Sequence, residues 1–103
     1  MVDMLIKGQF PKEKTNVLIQ QIRYDEETGE AVLRLTPQYG NKIYYEIDGP
    51  ATSASNLVEN PNEFKTKELK LSFVCIDSNG EHETGDPVYW TNKITIKGRV
   101  YDN

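Results

Sequence analysis

The sequence predicts an all-β fold, an immunoglobulin-like or fibronectin-III-like β-sandwich of about seven strands. Three observations lead there. Apolar residues recur at every second position in short runs, the period of a half-buried strand. Gly, Pro, Asn and Asp cluster between those runs at short intervals. No stretch combines a sustained helical period with the capping residues that open and close a helix.

Residues 1–14 hold little pattern, with Lys7-Gly8 and Pro11, and are expected to be a linker or entry arm; residues 15–103 are expected to form the sandwich. Asn16–Tyr24 is rich in β-formers. Its apolar residues also suit a helical face, but no capping box follows and its neighbours are strands, so a first strand is expected. Asp25–Gly29 reads as a turn ending in a glycine suited to positive φ. Glu30–Pro37 returns with Ala31, Leu33 and Leu35 on one face and Val32, Arg34 and Thr36 on the other. After the break at Pro37 and Gly40-Asn41, Lys42–Ile47 alternates, with Ile43, Tyr45 and Ile47 inward.

Asp48-Gly49-Pro50 ends that strand and opens a small polar loop through Ser55. Leu57-Val58 is a brief apolar touch, and Pro61–Thr66 a short edge strand anchored by Phe64. Glu68–Asp77 carries the clearest pattern, with Leu69, Leu71, Phe73 and Cys75 on one side. A turn at Ser78-Asn79-Gly80 leads into a polar loop that runs to Asp86-Pro87. Val88–Trp90 and Asn92–Tyr101 close the sheet, and Gly98 marks an expected bulge.

At 103 residues the chain is one domain, long enough to bury a core without staples. No apolar run approaches the roughly 20 residues of a membrane span. The net charge of −4 argues against a dedicated nucleic-acid binder, which would cluster Lys and Arg. The single cysteine, Cys75, has no internal disulfide partner and reads as a core residue. No signal peptide and no Asn-x-Ser/Thr sequon is evident, so a cytoplasmic location is expected.

Tyr44-Tyr45-Glu46-Ile47-Asp48-Gly49-Pro50-Ala51-Thr52 resembles a stretch of the Ig-like domain named after the C-terminal region of chitobiase and β-hexosaminidase. That family typically reads Y-Y-T-x-D-G-S-x-P-T here; Glu46 replaces the threonine and Pro50 arrives early. The similarity runs from about Ala31 to Gly80. It implies a non-catalytic module attached to a larger protein. The closing segment, DSNGEHETGDPVYWTNKITIKGRVY, is similar to the final part of Ig-like domains near the C-terminus of large bacterial ATP-binding proteins. That likeness implies that any ATPase chemistry belongs to another part of the parent, with this module serving assembly or target recognition.

Chemistry-bearing constellations are sparse. The acidic loop from Asp77 to Glu83 places Gly80 too early for a calcium loop, and His82 stands alone where zinc needs companions. No nucleophile elbow, facing carboxylate pair or phosphate loop is present, so neither enzymatic activity nor a cofactor is expected. Tyr44 and Tyr89 are out of phase with their strands' apolar sets, and Tyr39 lies between a proline and a glycine; all three are candidate exposed rings. The loops Asp48–Ser55 and Gly80–Pro87 are candidate binding loops, the second through Glu81, Glu83 and Asp86. The expected function is a non-catalytic interaction module, monomeric in isolation, whose partners are other domains of its parent or a protein target. A carbohydrate-binding accessory domain using the three tyrosines is the alternative.

Overall fold

The computed structural model describes residues 13–92. The expected entry arm up to Lys12, the closing strand beyond Asn92 with Lys93, Lys97 and Arg99 expected on its wet face, and the Gly98 bulge lie outside the described residues.

Among the described residues seven strands form two antiparallel sheets. They are β1 (Asn16–Asp25), β2 (Glu30–Gln38), β3 (Lys42–Ile47), β4 (Asn56–Leu57), β5 (Phe64–Thr66), β6 (Lys70–Ile76) and β7 (Val88–Thr91). The first sheet has the order β1-β2-β5 and the second β4-β3-β6-β7. The chain therefore crosses between sheets after β2, after β4 and again after β5. This is the β-sandwich that the alternation predicts. Among the described residues no helix is long and apolar enough to cross a membrane.

The inward residues of both sheets make the core. Val17, Ala31, Leu33 and Leu35 come from the first sheet, and Ile43, Leu71, Phe73 and Cys75 from the second. Phe64 on the edge strand β5 meets two rings of the opposite sheet edge-on, Tyr45 at 5.0 Å and Phe73 at 5.5 Å. Such T-shaped pairs add roughly 1 kcal/mol each beyond the area they bury. Val88 and Trp90 pack against this core as their phase predicts. Cys75 is buried as expected, and burial pushes its thiol up.

Strand β1 departs from simple alternation. Its pairing to β2 moves from Gln21↔Leu33 to Arg23↔Val32, which leaves Ile22 as an extra, bulged residue. Val17 and Ile19 face the core before the bulge and Tyr24 faces it after, so the inward set changes from odd to even positions.

Two expectations about facing need correction. Ile47 is exposed because it ends β3, beyond the cover of the other sheet. Leu69 is exposed because β6 begins only at Lys70; its carbonyl, not its side chain, is used, accepting from the Asn92 amide at 2.7 Å. Val32 is buried although it points away from the core. It lies on the outer face of the middle strand of its sheet, in register between Arg23 and Lys65.

Candidate binding site

The two candidate loops leave opposite ends of β6. Asp48 follows Ile47, which pairs with Leu71 at the start of β6, whereas the 77–87 loop leaves from its end, where Ile76 pairs with Lys42. The Asp48–Ser55 loop folds back over the outer face of the second sheet. Ser72 Oγ donates to the Gly49 carbonyl, Ser55 Oγ donates to Glu46 at 2.8 Å, and Ala51 is buried beneath.

The 77–87 loop is built around Asp77. Its Oδ1 accepts the Asn79 amide at 2.9 Å, and its Oδ2 accepts the amides of Glu81 and His82, each at 3.0 Å. The His82 ring completes the set, Nδ1 lying 3.0 Å from the same Oδ2. The His82 contact, followed by the Asn79 amide, holds the Asp77 carboxyl below its ordinary value of 3.8. Gly80 takes φ +77° in this turn, a conformation an L-residue adopts only with strain.

Thr15 moors the far side of the loop. It is buried, and its amide donates to the Glu83 carbonyl at 2.9 Å. Its Oγ1 donates to the Cys75 carbonyl at 2.5 Å and accepts the Gly85 amide at 2.9 Å. A methyl group on Gly85 would run into the Thr15 carbonyl, so only glycine lets the loop approach the segment before β1 this closely. Asn41 adds a tie to the turn, exchanging bonds with Ser78 at 2.7 and 3.0 Å.

Tyr39 stands beside this loop at the crossing from β2 to β3. Its φ is +60°, and Gly40 follows because a Cβ there would lie 2.5 Å from Cys75 Sγ and 2.8 Å from the Ile76 carbonyl oxygen. The residue is 47% exposed, and its ring meets the His82 ring at 5.3 Å with a 35° tilt. Between Tyr39 and the strand entering β1 runs an open groove of about 650 Å³, walled by Lys14, Asn16, Gln38, Asp86, Pro87 and Val88 among others.

The fold thus brings four of the six sequence-predicted residues to one end: Tyr39 and Asp86 on the groove, Glu81 and Glu83 flanking His82. Tyr44 and Tyr89 are elsewhere, on the outer face of the second sheet. Tyr44 is half-buried opposite Val74; Tyr89 is 64% exposed opposite Ser72 and borders a second groove of about 290 Å³ with Asp48, Gly49 and Lys70. The three rings do not form one row.

Sequence reasoning left His82 alone, whereas the fold sets ligand atoms of Asp77, Glu81 and His82 within 4.8 Å of one another. This trio is what a cation would meet, although Asp77 already accepts three amides there. Thr15 was missed outright. The role of Asp77 had a signal in Asp77-Ser78-Asn79-Gly80, the spacing at which an aspartate caps its own turn. Comparison of the chain with protein-family models, with curated proteins and with solved structures finds no match.

Proposed function

We propose that this chain is a non-catalytic interaction module that engages a protein partner through the end bearing Tyr39 and the 77–87 loop. The observation that carries the reading is an acidic loop held rigid from within while its charges stay free. Asp77 and Thr15 fix the backbone, and Glu81, Glu83 and Asp86 are exposed with no ion pair among the described residues. Loops ordered in advance lose little entropy on binding, and unpaired charges on such a loop select a basic partner. The resemblances in the sequence favour a larger bacterial and cytoplasmic parent, of the ATP-binding kind, with other domains of that parent among the partners. They likewise favour an Ig-like ancestry for the sandwich. The carbohydrate alternative needs the three tyrosines on one surface, and Tyr39 stands apart from Tyr44 and Tyr89, so we prefer the protein partner.

Replacing Glu81, Glu83 and Asp86 together with Ser tests this. Among the described residues the three side chains make no hydrogen bond or ion pair, and all three are exposed, so the circular dichroism spectrum should be unchanged. Partners captured by the unaltered chain should be lost from the variant, and raising salt should elute them from the unaltered chain. Capture of the same partners at equal yield, insensitive to salt, would refute the role of this loop.

A further inference from the structure

We propose that the groove beside Tyr39 receives an arginine side chain from an extended segment of the partner, an inference that rests on the interaction reading above. The walls point to that chemistry. The Tyr39 ring is covered on one side by His82, yet 47% of the residue remains exposed, leaving ring face for a second planar group. A guanidinium is planar, weakly hydrated and drawn to an aromatic face, while an ammonium is compact and strongly hydrated.

The charges at the groove agree. Among the described residues Asp86 and Glu13 line it against one cation, Lys14, and Glu81 and Glu83 stand on either side of the His82 that backs the ring. A carboxylate such as Asp86 accepts a guanidinium through two parallel bonds, a geometry that an ammonium cannot match. Pro87 and Val88 offer apolar contact for the aliphatic stem; Gln38 Oε1 already accepts the Asn16 side-chain amide at 3.4 Å, which leaves Asn16 Oδ1 as an acceptor for a remaining N–H group. An acidic or purely apolar partner segment would leave these carboxylates facing like charge or stripped of water.

Titrating the full 103-residue chain with blocked Gly-Arg-Gly, and in parallel with blocked Gly-Lys-Gly and Gly-Leu-Gly, decides the matter by amide and ring NMR shifts. The arginine peptide should give saturable shifts at Tyr39 and Gly85–Val88, with a Kd about tenfold below that of the lysine peptide. Asp86→Asn should raise that Kd by about tenfold, and Tyr39→Leu should erase the preference for arginine over lysine. Equal affinity for arginine and lysine, shifts confined to other surfaces, or no shift at millimolar peptide would overturn the inference. Should the peptides fail while the triple Ser variant still loses its captured partner, the arginine groove falls and the interaction module stands. Loss of both results removes the reading on which the groove depends.

Discussion

Tyr39 holds a backbone conformation that costs a side chain bearing a Cβ about 1 kcal/mol, a cost that asparagine tolerates better. Its ring is half-exposed and touches His82, so packing recovers only part of that cost. A residue that strains the crossing while presenting its ring to solvent is better explained by what it displays than by what it holds together. Tyr39→Asn should therefore leave stability unchanged or raise it by up to about 1 kcal/mol in urea unfolding, while partner capture drops. A clear loss of stability in that variant would return Tyr39 to a structural role. The sequence singled out this residue only because it lies between a proline and a glycine, outside any strand's apolar set. Positive φ at Tyr39 could not be read there, since tyrosine is an uncommon occupant of that region. Gly40 was legible as a break, but the reason for it, Cys75 Sγ close beneath, exists only once the sheets meet.

Strands and loops differed in how openly they announced themselves. Strands β2 and β6 were plain because the middle of a sandwich sheet repeats core-facing apolar residues at period two, as Ala31, Leu33, Leu35 and Leu71, Phe73, Cys75 do. Strand β1 looked ambiguous for a physical cause: the bulge at Ile22 shifts its inward set by one residue, and such a pattern imitates neither period cleanly. The 77–87 loop was recognised as polar but its internal order was not, because an aspartate bonding to its own turn leaves the same composition as one facing water. Its order makes it sensitive to acid. The folded Asp77 carboxyl titrates below its ordinary 3.8, chiefly through the His82 contact. Its stabilisation is therefore fully present above the unfolded value and is lost as pH falls through the lower, folded one. Amide exchange at Asn79, Glu81 and His82 should accelerate as pH drops below about 4, once corrected for intrinsic rates, while amides of β2 stay protected. Asp77→Asn should show fast exchange in the same three amides at neutral pH. Protection that persists in this variant would show that Asp77 does not order the loop.

Across the whole molecule, the sandwich keeps its two loops mechanically separate, and this arrangement was not legible from either loop alone. Each is tied to β6 by one hydroxyl. Ser72 Oγ bonds the Gly49 carbonyl near the start of the strand, and Thr15 Oγ1 bonds the Cys75 carbonyl near its end. Three residues of extended chain separate those points, about 10 Å, the distance beyond which substitutions cease to couple. Thr15→Val keeps the shape but removes the donor to Cys75 and the acceptor for Gly85, leaving buried groups unpaired at a cost of about 2 kcal/mol. Ser72→Ala removes a single bond and should cost about 1 kcal/mol. Binding should respond quite differently. Thr15→Val frees the Glu83–Gly85 stretch and should weaken partner capture, whereas Ser72→Ala loosens only the Asp48–Ser55 loop and should leave capture intact. The double variant's stability should equal the sum of the two losses to within about 0.5 kcal/mol, and its binding should match that of Thr15→Val. A larger deviation in urea unfolding, or weakened capture from Ser72→Ala alone, would mean that β6 transmits strain between the ends and that both loops take part in one site.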